Sequence, residues 1–450
     1  MKPETEFTVE QELLLAALGC PRMAGGAATL PALLDQVNWQ KLLAATSRDL
    51  YPYLCFSLEP CMEGREVPPE WEALRTARRL TAVNNLRFRH ELTSITAALT
   101  EAGIPALALK GIVLAYAAYK DPSLRPMMDL DLLVPPGERE HAIGALRKLE
   151  FGYPQGLPIF IRDHMWRLAP GQEFAPPLQS SKSRVQVEIH AMLECSEPLF
   201  GEPVQEFWSR STTAALGGLC ARTLCPGDNL FHICLHQARS HRFEKGLLPL
   251  LDIKVLLESN EHWDWEGMAA RSLQQGCATW MYLGLDAARR FTGAAVSPAF
   301  FCALPEPEDL PNLRLLAEEQ ILSARSGGMT PNLIPILRAE PSWHRRAQMV
   351  FARRKLVRKE ELGPQENSAG FLPLARVFCR RLLVTMRSRI PKYFRAWRSG
   401  GLRVGTILKS TRLFRHSNPL FALVEQQGKL PEKRPRAGQV AFEKGSNLER

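Results

Sequence analysis

The stretch RPMMDLDLLV, residues 125–134, constrains the fold most, because two aspartates alternate with leucines in a segment otherwise typical of a buried strand. Side chains two apart in a β-strand point to the same face, so Asp129 and Asp131 share a face, with Cα atoms roughly 6.6 Å apart. An unpaired buried carboxylate is costly. We expect the opposite face to be anchored by apolar side chains, those of Met128, Leu130 and Leu132.

Two further strands are predicted, one on either side of this stretch. IPALALKG, residues 104–111, is short and apolar and closes with Lys110–Gly111, after which IVLAYAAY has a helical period. This order predicts a strand, a glycine turn and a helix. In RVQVEIHAML, residues 184–193, polar and apolar residues alternate, so Glu188 and His190 share a polar face.

Most of the remaining sequence has a helical period. Residues 8–60 fit short amphipathic helices, a longer helical pattern runs from about 68 to a glycine stop at Gly103, and the pattern after Pro226 is helical to about residue 325. Residues 153–183 are irregular. We predict an α+β fold in which a small mixed β-sheet with its helices is flanked by N-terminal and C-terminal helical modules.

A chain of 450 residues is long enough for several modules. The predicted division is a helical module at 1–102, an α/β core at 103–222, a helical domain at 223–340, a basic helical region at 341–428 and a disordered tail at 429–450. Ten cysteines stand singly without a C-x-x-C pair, which is typical of a reducing compartment. No signal peptide or membrane-spanning stretch is recognisable, so we predict a cytoplasmic protein.

The net charge of +10 is concentrated at the C-terminal end, where residues 341–450 carry 25 Lys and Arg against 7 Asp and Glu. The segment at 376–403 mixes basic and aromatic residues, and Pro391 interrupts any single long helix. Three interpretations stay open for the basic region at 341–428. It could bind an anionic membrane surface, contact nucleic acid, or form a solvated helical face that packs on the rest of the chain.

The two aspartates suggest a metal site. Carboxylates of Asp129 and Asp131 can converge on two ions held about 3.5–4 Å apart, the spacing of two-metal phosphoryl and nucleotidyl transfer. Glu188 would add a third acid, and Mg²⁺ is the expected ion, with Mn²⁺ as an alternative. The turn at Lys110–Gly111 and the guanidinium of Arg125 offer donors for phosphate oxygens. The alternative is that the aspartates lie on the solvated face of an edge strand.

The segment AGIPALALKGIVLAYAAYKDPSLRPMMDLDLLVPPGERE, followed by VQVEIHAML, resembles the uncharacterised bacterial nucleotidyltransferase family of the DNA-polymerase-beta-like superfamily. That pattern is an LKG turn, a tyrosine-proline stretch, R-P-M-x-D-x-D-L-L-V and a later acidic-x-His strand. The resemblance extends over roughly residues 10–260 and implies that 103–222 is a nucleotidyltransferase-like catalytic core.

The resemblance also implies roles for individual residues. Lys110 and Gly111 would replace the superfamily's Gly-Ser phosphate turn, which here lacks the serine. Asp129 and Asp131 would be the metal-binding pair. Glu188 would ligate the catalytic metal and help to deprotonate the acceptor hydroxyl, at a position where the resemblance leads us to expect Asp.

Histidines near these segments have several interpretations. His190 could orient a metal ligand or simply form a hydrogen bond within its strand. His232 and His236 lie four apart, but the pattern is not H-E-x-x-H, so zinc is disfavoured. We instead expect the later helices to cover a nucleotide cleft, with His236 or Asp252 near the base or ribose.

The sequence is compatible with two functions. The first is a Mg²⁺-dependent nucleotidyltransferase that moves a nucleoside monophosphate from an NTP to an unidentified hydroxyl acceptor and releases pyrophosphate. The second is a non-catalytic nucleotide-binding scaffold whose basic C-terminal region docks to a membrane or to nucleic acid. The presence of all three acids together with Lys110 and Arg125 favours the enzyme.

Overall fold

The computed structural model describes residues 7–24, 30–153, 177–196 and 200–323. The basic region predicted at 341–428 and the tail at 429–450 lie outside the described residues, as does most of the irregular stretch at 153–183.

The described chain begins with helices. They are α1 (Val9–Ala17), α2 (Pro21–Ala24), α3 (Leu30–Leu34), α4 (Trp39–Ala45), α5 (Tyr51–Leu58) and the long α6 (Trp71–Glu101). A capping box starts α1, because Thr8 accepts from the backbone of Gln11 and the Gln11 side chain accepts from the backbone of Thr8. Gly103 follows α6 with a φ of 72°, which is the left-handed conformation expected after a helix end.

A mixed sheet of seven strands lies at the centre of the described residues, in the order β3, β4, β5, β2, β1, β7, β6. The strands are β1 (Leu107–Leu109), β2 (Asp129–Leu133), β3 (Phe151–Gly152), β4 (Leu178–Ser180), β5 (Gln186–His190), β6 (Thr212–Leu216) and β7 (Leu219–Thr223). β2 is parallel to β5 and antiparallel to β1. The predicted α+β class is confirmed.

The turn after β1 differs in detail from the predicted glycine turn and helix. Lys110, not Gly111, has the positive φ, 51°. α7 (Gly111–Val113) makes one α-helical turn and continues as a π-helical turn over Leu114–Ala118. A side chain at Gly111 would crowd Met127, because an added Cβ would lie 3.1 Å from Cβ of Met127.

The apolar face of β2 is as predicted except at one end. Leu130 and Leu132 are fully buried, but Met128 is 75 % exposed, so its predicted anchoring role is wrong. Pairing with β5 begins at Asp129, opposite Gln186. Met128 therefore precedes the paired part of the strand.

Further helices lie between the strands and after them, and those after the last strand also pack against the front of the chain. They are α8 (Arg139–Lys148), α9 (Val204–Ser209), α10 (Pro226–Leu235), α11 (Leu248–Glu258), α12 (Trp265–Gln274), α13 (Ala278–Thr292), α14 (Pro298–Cys302) and α15 (Leu310–Ser323), with α8 between β2 and β3 and α9 between β5 and β6. Buried side chains of α1, α3, α4 and α5 and of α10 to α15 belong to one hydrophobic cluster. Lys254 of α11, for example, donates to the carbonyl of Leu18 over 2.9 Å.

A second cluster lies between the sheet, α6 and α8. The division into domains stays a prediction. Within the described ranges, no helix combines the length and apolar character that a membrane span requires.

Candidate active site

Strands β2 and β5 bring three acids and a histidine to one face of the sheet. In their parallel register, Asp131 pairs with Glu188 and Asp129 pairs with Gln186. Paired residues of neighbouring strands point to the same face, and so do residues two apart. Asp129, Asp131, Glu188 and His190 therefore share one face. Alternation within each strand predicts the two separate pairs, and the register between the strands brings them together.

Asp131 is the centre of the group. It is 4 % exposed, and its Oδ1 atom accepts hydrogen bonds from Nζ of Lys110 and from Nε2 of His190, each over 2.9 Å. Burial raises the pKa of Asp131, but Lys110 and His190 outweigh it, so the pKa lies well below the usual range. Asp131 is therefore a fixed anion at neutral pH.

Asp129, unlike Asp131, has no hydrogen-bond donor among the described residues to offset its burial. Its carboxylate makes no hydrogen bond within the described part of the chain. Burial, followed by repulsion from Asp131 and Glu188, raises the pKa of Asp129 to about 6. Burial and Asp131 also raise the pKa of Glu188. The face thus carries more negative charge than its own cations neutralise, and a bound divalent cation would remove that excess.

One compact group of ligand atoms lies on this face. Among the described residues, Asp131, Glu188 and His190 form the one group of three or more acidic, histidine or cysteine side chains whose ligand atoms all lie within 4.8 Å of one another. Nε2 of His190 is 3.7 Å from Oε2 of Glu188. Carboxylate oxygens suit Mg²⁺ and Mn²⁺, and an imidazole suits Mn²⁺ better than Mg²⁺. The predicted set had Asp129 in place of His190.

Lys110 and Gly111 lie directly beside these acids. Burial lowers the pKa of Lys110, but Asp131 and then Glu194 outweigh it, so the ammonium stays charged. The turn at Gly111 also contacts Arg125, whose Nη1 would lie 3.5 Å from an added Cβ.

Arg125 is held by Asp252 of α11. Its Nε and Nη2 atoms donate to the two carboxylate oxygens of Asp252 over 3.0 and 2.7 Å, and its Nη1 donates to the carbonyl of Pro126. The hydroxyl of Tyr119 donates to Asp252 over 2.8 Å. This bidentate pair ties the segment before β2 to the helices of the C-terminal half.

Glu194 was not recognised in the sequence. It lies four residues beyond His190, past the end of the alternating strand, where no period places it. Its Oε2 atom accepts from Nδ1 of His236 over 2.8 Å and from the hydroxyl of Ser240. Nε2 of His236 in turn lies 2.8 Å from Nε2 of His241. No spacing in the sequence indicates this cluster, because His236 directly follows α10, more than forty residues after Glu194.

One of two comparisons with known proteins gives a match. A family model described as an uncharacterised nucleotidyltransferase matches residues 35–293, which is more than half of the chain and includes every residue of the site. Comparison with curated proteins gives no match. The chain belongs to this uncharacterised nucleotidyltransferase family.

Proposed function

We propose that the protein transfers a nucleoside monophosphate from an NTP to a hydroxyl acceptor, with release of pyrophosphate, in a reaction that requires Mg²⁺ or Mn²⁺. The observation that carries this proposal is the register of β2 and β5, which pairs Asp131 with Glu188 and puts Asp129 on the same face. Asp129 makes no hydrogen bond there to any residue that the structure describes. Membership of a nucleotidyltransferase family supports the reaction class.

Asp129, Asp131 and Glu188 would hold the metal, in one or two ions. The residues fit a cation because Asp129 and Glu188 both have raised pKa values and repel Asp131. A bound divalent metal supplies positive charge to the triphosphate and lowers the pKa of the acceptor hydroxyl. His190 would orient Asp131 through its 2.9 Å hydrogen bond or join the ligands itself.

Lys110 and Gly111 would bind the triphosphate. The ammonium of Lys110, which lies 2.9 Å from Oδ1 of Asp131, would donate to a phosphate oxygen, and the backbone at Gly111 would allow close approach. Arg125 would use the N–H groups that remain on Nη1 and Nη2 after its bonds to Asp252 and Pro126. Asp252 would then act on the nucleotide mainly by fixing Arg125.

The test is turnover of α-labelled NTPs with Mg²⁺ and pools of hydroxyl acceptors. Wild-type protein should release pyrophosphate and label an acceptor, and the double variant Asp129→Ala/Asp131→Ala should not. Asp49→Ala, at an exposed acid far along the chain, is the control. Metal-dependent NTP binding without any pyrophosphate release would favour the non-catalytic scaffold, and absence of both would overturn the proposal.

A further inference from the structure

The imidazole of His190 faces the two paired acids of the site. In the register of β5 with β2, His190 pairs with Leu133, and Glu188 pairs with Asp131. The ring nevertheless turns back along the strand, because its Nε2 atom lies 2.9 Å from Oδ1 of Asp131 and 3.7 Å from Oε2 of Glu188. One nitrogen atom thus faces two carboxylates that belong to neighbouring strands.

These separations suit neighbouring ligand atoms around one metal ion. Ligand atoms about 2.1 Å from an ion lie about 3.0 Å apart when they are adjacent in an octahedron and about 3.4 Å apart in a tetrahedron. The nitrogen-to-oxygen distances of 2.9 and 3.7 Å fall around those values. The ligand atoms of Asp131, Glu188 and His190 all lie within 4.8 Å of one another, so a single ion can contact all three.

Two members of this group are accessible to an ion from solvent. The side chain of Asp131 is 6 % exposed, but those of His190 and Glu188 are 21 % and 34 % exposed. A hydrated ion can therefore exchange its water for the ligand atoms of His190 and Glu188 before it reaches the buried acid.

Asp131 does not depend on His190 for a hydrogen-bond donor. Nζ of Lys110 donates to the same Oδ1 atom over 2.9 Å, and an ammonium is a stronger donor to a carboxylate than a neutral imidazole. A histidine that only fixed Asp131 would repeat the role of Lys110. The approach of His190 to Glu188, at 3.7 Å, is too long for a hydrogen bond. It is explained if both atoms are ligands of one ion.

The hydrogen on Nε2 is the part of this contact that an ion would replace. An ionised carboxylate only accepts, so Nε2 of His190 donates to Asp131 when no ion is bound. A metal ligand must present a lone pair, so a ligating imidazole bound through Nε2 keeps its hydrogen on Nδ1. For a neutral imidazole the exchange moves one hydrogen from Nε2 to Nδ1 through solvent and leaves the charge of the ring unchanged.

A nitrogen ligand also changes which ion the site prefers. Mg²⁺ is bound by oxygen ligands, whereas Mn²⁺ accepts carboxylate oxygens and binds nitrogen more strongly than Mg²⁺ does. Two carboxylates with one imidazole therefore favour Mn²⁺. Asp129, which the compact group does not include, offers oxygens that suit either ion.

We propose that His190 ligates the metal together with Asp131 and Glu188, and that it makes the site selective for Mn²⁺ over Mg²⁺. This inference rests on the metal of the proposed function and adds the identity of the ion. His190 is then a specificity-determining residue, and its hydrogen bond to Asp131 belongs to the metal-free protein.

The test compares full-length wild type with His190→Gln, whose amide group has about the reach of Nε2. The amide N–H can still donate to Asp131, but the side chain offers no imidazole nitrogen. Electron paramagnetic resonance of unbound Mn²⁺ gives the Kd for Mn²⁺ without nucleotide, and displacement by Mg²⁺ gives the Kd for Mg²⁺. In His190→Gln the Kd for Mn²⁺ should rise by about tenfold or more, and that for Mg²⁺ should change by less than about threefold. His90→Gln, at an exposed histidine of α6, should change neither.

A second measurement needs only the wild type. The electron spin echo of bound Mn²⁺ should be modulated by a directly bound nitrogen, and His190→Gln should lose this modulation while His90→Gln keeps it. Absence of nitrogen modulation in wild type would overturn the inference even if His190→Gln failed to fold.

The outcomes separate the ligand from the reaction. If His190→Gln raises both Kd values equally, or neither, His190 does not select the ion and the inference is wrong. Pyrophosphate release from NTPs is measured separately with each ion. Turnover with an unchanged ratio of the two Kd values removes the inference and keeps the proposed function. A Mn²⁺ preference that depends on His190, without turnover in either ion, keeps the ligand and removes the nucleotidyl transfer. A wild type that binds neither ion removes both.

Discussion

Nζ of Lys110 lies 2.9 Å from Oδ1 of Asp131, so an ammonium of this chain neutralises the most buried acid of the site. The two side chains are 18 % and 6 % exposed, and a charge left alone at that depth costs several kcal/mol. The pair therefore holds the metal-free site together, and its loss should be visible in stability before any activity is measured.

Lys110→Met should lower the free energy of unfolding of the metal-free protein by about 3–5 kcal/mol, because Asp131 keeps its charge without a partner. Urea unfolding measures this, with Lys120→Met at an exposed lysine as the control. In a double-mutant cycle, Lys110→Met should cost less unfolding free energy in the Asp131→Asn background than in wild type, by more than about 1 kcal/mol. Additive effects of the two substitutions would show that the ion pair does not contribute.

Asp129 should make metal-free stability fall as pH rises. Its pKa is about 6 in the folded protein and about 3.9 in an unfolded chain, so the folded state binds the proton more tightly. The penalty is absent below about pH 4, grows between about pH 4 and 6, and is complete above that, on the order of 3 kcal/mol. Asp129→Asn should therefore stabilise the protein at pH 7.5 and have little effect at pH 4.

Thermal unfolding at both pH values measures the effect of Asp129→Asn, with Glu63→Gln at an exposed acid as the control. Saturating Mg²⁺ should reduce the difference between wild type and Asp129→Asn, since the ion relieves the same repulsion. A variant that is less stable than wild type at pH 7.5 without metal would contradict the electrostatic account of this face.

Arg125 should not tolerate lysine, although the charge is kept. Lysine cannot form both hydrogen bonds to Asp252, so Arg125→Lys should cost about 2 kcal/mol of unfolding free energy. Tyr119→Phe should cost about 1 kcal/mol, because it removes a single hydrogen bond to the same carboxylate. Urea unfolding checks both, with Arg147→Lys at an exposed site as the control. If Arg125→Lys left the free energy of unfolding unchanged, the bidentate geometry would have no energetic role.

The sequence was most informative where the backbone has a simple period. Alternation in β2 and β5 predicted that Asp129 and Asp131 share a face, as do Glu188 and His190, and apolar runs predicted the strands themselves. Alternation within each strand does not contain the register between two strands that are more than fifty residues apart. The pairing of Asp131 with Glu188 had to come from the structure.

Other features depend on local geometry that no period encodes. The residue with positive φ in the turn after β1 is Lys110, whereas the sequence suggested Gly111. The exposed Met128 reflects where strand pairing begins. The cluster of Glu194 with His236 and His241 depends on a π turn, and a pattern based on 3.6 residues per turn would place those two histidines on different faces.

The most direct measurement of the central claim is thermal stabilisation by each of the four NTPs, with and without Mg²⁺, in wild type and in Asp131→Asn. The account predicts that at least one NTP stabilises wild type only when the metal is present, by about 2.7 kcal/mol at one hundred times Kd, and that Asp131→Asn loses this gain. Stabilisation of equal size in both proteins, or none in wild type with any NTP and metal, would contradict it.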